Sequence, residues 1–260
     1  MNELHVTGIF DSHAHYDDES FLDDQQAVLE HLKASDVSRV LNIACSMPSC
    51  ETSLALAEQY DWIYCAVGIH PDAADDLPDD YLDRLRAYAA HPKVVAIGEI
   101  GLDYHYENVD RARQQVVFEE QLALAKELDL PVVIHSREAT QDTMNLVRKY
   151  RPKGVMHCFS GSAETAKELV ELGMYVGFTG VLTFKNAKKA KLAAQAVPAD
   201  RLLLETDCPY MAPIPFRGKR CDSSMLPYTA QAMAELQGLS TQEMIDQTRQ
   251  NACRLFKIEE

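Results

Sequence analysis

Short apolar runs and longer amphipathic ones alternate along the whole chain. The runs 8–12, 39–45, 63–68, 94–99, 132–135, 154–157, 175–179 and 202–206 are rich in Val, Ile, Leu and small residues. Such runs predict parallel strands buried on both faces. Helical patterns lie between them, among them 23–34, 81–90 and Arg111–Leu128, the last with Val117, Leu122, Leu124, Ala125 and Leu128 at helical spacing. Breakers fall at the joints: Pro131 opens one strand, Pro152-Lys153-Gly154 precedes the next, and Gly173 ends a helix. Ser240 and Glu243 form a capping box at the head of a last helix running to about Phe256. Eight strands each followed by a helix predict an α/β fold, a (β/α)8 TIM-type barrel with an extra C-terminal helix, in one domain spanning residues 1–260. An open doubly wound sheet is the rival, but no glycine-rich phosphate loop follows the first strand.

Composition narrows the class. With 260 residues, 47% hydrophobic and 25% charged, the chain has ample material for a core, which excludes disorder as its overall state. No apolar run approaches the roughly 18 residues of a membrane helix. The start, Met1-Asn2-Glu3-Leu4-His5, lacks a basic stretch followed by an apolar one, so a cytoplasmic protein is expected. Seven Cys fit buried thiols in a reducing compartment, with Cys45, Cys65, Cys158 and Cys208 in strand-like segments. The net charge of −15 opposes nonspecific binding along duplex DNA but allows a local basic site or a metal that meets a phosphate.

Metal-capable residues recur at the downstream ends of the predicted strands. His13 and His15 follow the first, Glu99 ends the fourth, His135 the fifth and His157 the sixth, and Asp207 follows the eighth. Residues i and i+2 of an extended segment share a side, so His13 and His15 can grip one ion. A barrel brings all strand ends of one polarity to one face, where active sites are built. Four imidazoles and two carboxylates on one face predict a metal centre rather than packing.

The runs Phe10-Asp11-Ser12-His13-Ala14-His15, Val67-Gly68-Ile69-His70-Pro71 and Ile97-Gly98-Glu99-Ile100-Gly101-Leu102-Asp103-Tyr104 carry a resemblance that continues through three more. These are Pro131-Val132-Val133-Ile134-His135-Ser136-Arg137, His157-Cys158-Phe159-Ser160-Gly161 and Leu204-Glu205-Thr206-Asp207-Cys208-Pro209-Tyr210. Together they make the chain resemble the TatD family of metal-dependent deoxyribonucleases, within the amidohydrolase superfamily. The resemblance implies a barrel, two divalent ions and phosphodiester hydrolysis of DNA, with 3′→5′ exonuclease action on single strands or frayed ends. It implies that His13, His15 and Asp207 hold one ion, His135 and His157 the other, and that Glu99 bridges them. Asp207 is then the general base for a metal-activated water. Imidazole ligands favour Zn or Mn by softness, whereas the family's nuclease activity is associated with Mg, so the metal stays open among the three.

Residues outside the ligand set suggest how substrate is held. Lys185, Lys188, Lys189 and Lys191 follow the seventh strand, where a solvated helix face accounts for the last three. Arg217, Lys219 and Arg220 sit in the loop after the eighth strand, a frequent phosphate site in barrels; here Arg217 is expected to hold a phosphate next to the scissile one, with Arg220 beside it. His70 is a candidate substrate-contacting or proton-donating residue, with a structural role the alternative. Arg137 is a phosphate contact or half of an internal ion pair. Tyr104, Tyr210 and Phe216 can stack a base or pack the rim. Cys158 and Cys208 adjoin ligands and are expected on the packing side of their strands. The chain departs from the family in one place: Arg-Asn-Glu-Pro is common there, but Arg220-Cys221-Asp222-Ser223 stands here, which bears on loop shape and substrate choice. The alternative chemistries are a metal-dependent amidohydrolase or esterase acting on a small molecule or on aminoacyl-tRNA, and a non-catalytic metal-stabilised binding protein. A monomer is expected.

Overall fold

The computed structural model describes residues 5–259; residues 1–4, part of the segment read above for a leader, and residue 260 lie outside the described residues. Eight parallel strands pair in sequence order: β1 (Ile9–Ala14), β2 (Val37–Ile43), β3 (Ile63–Val67), β4 (Val94–Asp103), β5 (Val132–Arg137), β6 (Gly154–Met156), β7 (Tyr175–Phe178) and β8 (Leu202–Leu204). The expected α/β (β/α)8 barrel is therefore the fold observed. Around it lie α1 (Gln25–Ala34), α2 (Met47–Gln59), α3 (Tyr81–Ala89), α4 (Arg111–Leu128), α5 (Thr140–Tyr150), α6 (Ala163–Glu171), α7 (Lys188–Ala196) and α8 (Leu226–Gln237), with α9 (Thr241–Phe256) the additional helix. Among the described residues no helix is long and apolar enough to cross a membrane.

Local chemistry explains the helix ends. Asp110 caps α4 by accepting from the Arg113 N–H, and Ser240 with Glu243 closes a reciprocal capping box on α9. Two apolar clusters divide the interior. One fills the layer between strands and helices, with Leu29, Leu32, Leu56, Leu85, Phe118 and Leu122 facing Val40, Val67, Ile97 and Ile134. The other lies inside the barrel, where Phe10, Leu41, Ile43, Ala66, Ala96, Val133, Val155 and Leu203 meet Ala252, Leu255, Phe256 and Ile258. The end of α9 and the residues after it thus plug the lower mouth of the barrel and leave the upper mouth to polar groups.

The barrel closes between its first and last strands at the upper rim. Ala14 bridges Cys208, the His15 N–H donates to the Cys208 carbonyl (3.0 Å), and the Asp207 N–H donates to the His13 carbonyl (2.9 Å). Below this, side chains complete the seam: Ser12 Oγ donates to the Leu204 carbonyl, and buried Asp11 accepts from the Thr206 N–H, Thr206 Oγ1 and Ser223 Oγ.

Candidate metal centre

Two bulges aim the ligands. Along β1 the register runs Asp11 opposite Val40 but Ala14 opposite Asn42, three steps against two. Along β4, Ile97 faces Val132 and Ile100 faces Ile134, again three against two. Each extra residue resets the alternation of side chains. Asp11 and Ile97 lie in the outer layers, yet His13 and Glu99, two residues on, turn into the barrel mouth. Strict alternation would have sent both outward.

The donor atoms converge on Glu99. Its Oε2 lies 3.3 Å from His13 Nε2 and 3.7 Å from His15 Nε2, which are themselves 3.0 Å apart. Asp207 Oδ1 completes the group at 3.7 Å from His13 Nε2 and 3.4 Å from His15 Nε2. Atoms bound at about 2.1 Å around one ion stand roughly 3.0–3.5 Å from each other, so His13, His15 and Glu99 are close to the spacing of donors to one metal ion, with Asp207 at its edge. The other oxygen, Oε1, faces a second set: His135 Nδ1 at 3.0 Å, His157 Nε2 at 3.5 Å and His70 Nε2 at 4.0 Å. One buried carboxylate is thus divided between two sets of histidines that could each hold a metal ion.

Behind these side chains, hydrogen bonds hold the rings of His15 and His135, and a carboxylate faces the ring of His157 without hydrogen-bonding it. His15 Nδ1 meets the Ile43 carbonyl at 2.8 Å, His135 Nε2 meets Asp103 Oδ2 at 3.1 Å, and His157 Nδ1 lies 3.2 Å from Glu205 Oε1. Glu205 is fully buried and also accepts from the Cys158 N–H. Gly177 makes room for it, since a Cβ there would collide with the Glu205 carboxylate. Asp103 and Glu205 were not singled out from the sequence, although both lie within runs that carry the family resemblance.

Electrostatics follow from this crowding. Burial pushes the Glu99 carboxyl up, but the imidazoles of His13 and His157 and hydrogen bonds from His13 and His135 outweigh it and hold Glu99 well below the usual carboxylate range. Burial likewise raises Asp207, and His157, His15 and His13 bring it below its ordinary value. Burial lowers His135, but Asp103 and Glu99 raise it to about 10. Burial brings His70 down to about 4. The Asp72 N–H donates to His70 Nδ1 (3.2 Å), which places the ring proton of the neutral form on Nε2, toward the cavity.

A cavity of about 920 Å³ opens above the cluster, lined by His15, His70, Glu99, His135, His157 and Asp207 together with Asp17, Asp18, Asp72, Asp103 and Arg137. Arg137 stands at its rim, 4.0 Å from Asp103 and 5.8 Å over the Tyr106 ring. The structure corrects the reading of Cys158. Its φ of +44° breaks the alternation just past β6, and its thiol lines the cavity rather than the packing side. Cys45 lines the cavity too, 3.7 Å from His15 Nδ1, whereas Cys208 is buried as expected. Among the candidate stackers, Tyr104 is buried against Asp142 and Gln115, Phe216 packs on Tyr228, and Tyr210 stands exposed at the mouth with Tyr106, which the sequence had not singled out.

The two loop arginines lie outside the metal cavity. Arg220 is held by Asp24 through two bonds of 2.8 and 2.7 Å and by the Ser20 carbonyl. Arg217 stacks 4.6 Å over Phe184 in a neighbouring groove. Lys188 and Lys189 begin α7 in solvent, Lys189 at the edge of a side cavity lined by Ser160 and Thr165.

A β/α barrel with imidazoles and carboxylates gathered on its upper rim fits a metal-dependent hydrolase. The family of TatD related DNases matches residues 10–257, and the chain belongs to it. It is 44% identical over 253 residues to the uncharacterized metal-dependent hydrolase YabD of Bacillus subtilis, covering 96% of this chain and 99% of that one. It is 33% identical to the 3′-5′ ssDNA/RNA exonuclease TatD of Erwinia tasmaniensis, over 96% and 100% of the two chains. The crystal structure of YjjV, a TatD homologue from Escherichia coli, superposes with a TM-score of 0.91 at 32% identity over 96% of this chain and 98% of that one.

Proposed function

We propose that this chain is a two-metal phosphodiesterase that shortens single-stranded DNA from its 3′ end. The observation that carries the reading is the Glu99 carboxylate, one oxygen toward His13 and His15 and the other toward His135 and His157. His13, His15 and Asp207 would hold one divalent ion, His135 and His157 the other, and Glu99 both, with Mg, Mn or Zn as the candidates. When bound, such ions polarise a phosphoryl oxygen and bring the pKa of a water to about 7. Asp207, kept ionised, accepts a proton from the attacking water. His70 turns its Nε2–H into the cavity, where it donates a hydrogen bond to substrate rather than a lone pair to a metal. Arg137 at the rim is placed to meet a phosphate oxygen. The polarity and the polymer come from the relatives named as exonucleases.

A second reading is favoured by the cavity's charge: Asp17, Asp18 and Asp72 line it, and Arg137 is the one Lys or Arg among the lining residues. That surface suits a neutral or cationic ester or amide. The deciding experiment is hydrolysis of 5′-labelled single-stranded DNA by EDTA-stripped protein, with Mg, Mn or Zn restored separately and His135→Ala run alongside. Stepwise shortening from the 3′ end, lost in the variant, is expected. Intact DNA in every metal would reject the nuclease and leave the ester or amide hydrolase.

A further inference from the structure

The metal cavity shares a wall with a second depression. Tyr210 and Met211 line both the metal cavity and a groove of about 490 Å³ whose other walls are Ser20, Phe184, Arg217 and Lys219. The shared wall is tied to the metal centre, because the Tyr210 N–H donates to the Asp207 carbonyl at 2.9 Å. Tyr210 is 56% exposed, and its hydroxyl donates to Asp18 Oδ2 at 3.3 Å at the mouth.

The groove differs from the cavity in charge. The cavity lining sets six carboxylates against the one Arg137, and they repel any phosphate not met by a metal. Arg217 and Lys219 reach no carboxylate within ion-pair distance among the described residues. The Arg217 guanidinium is 4.6 Å over the Phe184 ring and the Lys219 ammonium 5.9 Å over the Phe216 ring, which leaves their charges for a ligand. Arg220, neutralised by Asp24, contributes none.

We infer that this groove is the track for the strand 5′ of the scissile bond: a nucleobase stacks on Tyr210, and the next phosphates fall to Arg217 and Lys219. The inference rests on the phosphodiesterase reading and adds the path of the polymer to it. A single strand suits the arrangement because an exposed aromatic beside a basic groove takes any base face and follows the backbone.

The test compares two substrates lacking and possessing that strand: the p-nitrophenyl ester of thymidine 5′-phosphate and an oligothymidylate of about eight residues. The quantity read is the ratio of kcat/KM for the oligomer to that for the ester. Tyr210→Ala is expected to lower the ratio about 5- to 150-fold, since a base on an aromatic ring is worth about 1–3 kcal/mol; Tyr210→Phe, which keeps the ring, restores most of it. Arg217→Ala with Lys219→Ala is expected to lower it as well. The same double variant should flatten the salt dependence of oligomer binding by about 1.4 in log–log slope, at roughly 0.7 per single-strand phosphate. Ratios and slopes equal to wild type in every variant would overturn the track. Wild type inert toward both substrates would instead reject the phosphodiesterase, and anisotropy of a labelled oligomer on the same variants would still decide the groove.

Discussion

Replacing Glu205 by Gln isolates one supporting contact of the metal centre. The carboxylate lies 3.2 Å from His157 Nδ1 and accepts from the Cys158 N–H. Gln keeps the volume and a carbonyl oxygen for Cys158 but removes the charge that faces His157 Nδ1. Losing such a partner costs about 10–100-fold in metal affinity, or roughly 1.4–2.7 kcal/mol. Ala goes further, because the buried Cys158 N–H is left without an acceptor, at about 1–3 kcal/mol of stability. Competition against a metallochromic chelator gives the affinity, and urea unfolding of the stripped protein gives the stability. The expected pattern is weakened metal binding in both variants and a marked loss of apo stability in Glu205→Ala alone. Gly177→Ala, which presses a methyl on the same carboxylate, should weaken metal binding in the same direction. Wild-type affinity in Glu205→Gln would refute the argument that this carboxylate tunes His157.

Asp207→Asn should cut kcat by about 10²–10⁴ while circular dichroism shows a folded protein; retained turnover would remove Asp207 as the base. Asp129, at the end of α4, is brought to about 2 by Lys153 and Lys257. A depressed carboxyl stabilises above its unfolded value and loses that contribution as pH falls through about 2. Asp129→Asn should therefore flatten the acid limb of a urea-midpoint profile between about pH 4 and 2, slightly, because the group is exposed and screened; a profile parallel to wild type would contradict this.

Much of the barrel was legible because its signals are local. The helical spacing of Arg111–Leu128 and the Ser240–Glu243 box mark α4 and α9 at the observed bounds. Apolar runs place all eight strands, and the ligand candidates at their ends do converge. Legibility stopped where position depends on distant chain. β4 continues to Asp103 because β5 pairs with it that far, Leu102 opposite Ser136 and Asp103 opposite Arg137. The bulges before His13 and Glu99 exist only against a neighbouring strand, and periodicity within one segment carries no trace of them. Cys158 was misplaced because strand alternation was extended past β6 into a left-handed turn. Arg220 was given to substrate because its partner Asp24 lies 196 residues away in sequence. Glu205 and Asp207 both lie just past β8, two residues apart, and the sequence gives no sign of which one faces the cavity and which one stands behind a histidine.

The joint of the barrel and the first set of ligands are the same place. His13 and His15 come from the first strand and its exit, Asp207 from just past the last, and the bonds that close the ring run between those residues. An ion held there as proposed would act as a rivet across a hoop, fastening the two ends of the chain's circuit. A growing chain presents the two histidines long before the aspartate is made, so tight occupancy must wait for the eighth strand to arrive. Under the proposed metal assignment, metal retention would report a finished ring, because the ion would sit on the one joint that is not built as a continuous ladder of strand pairing.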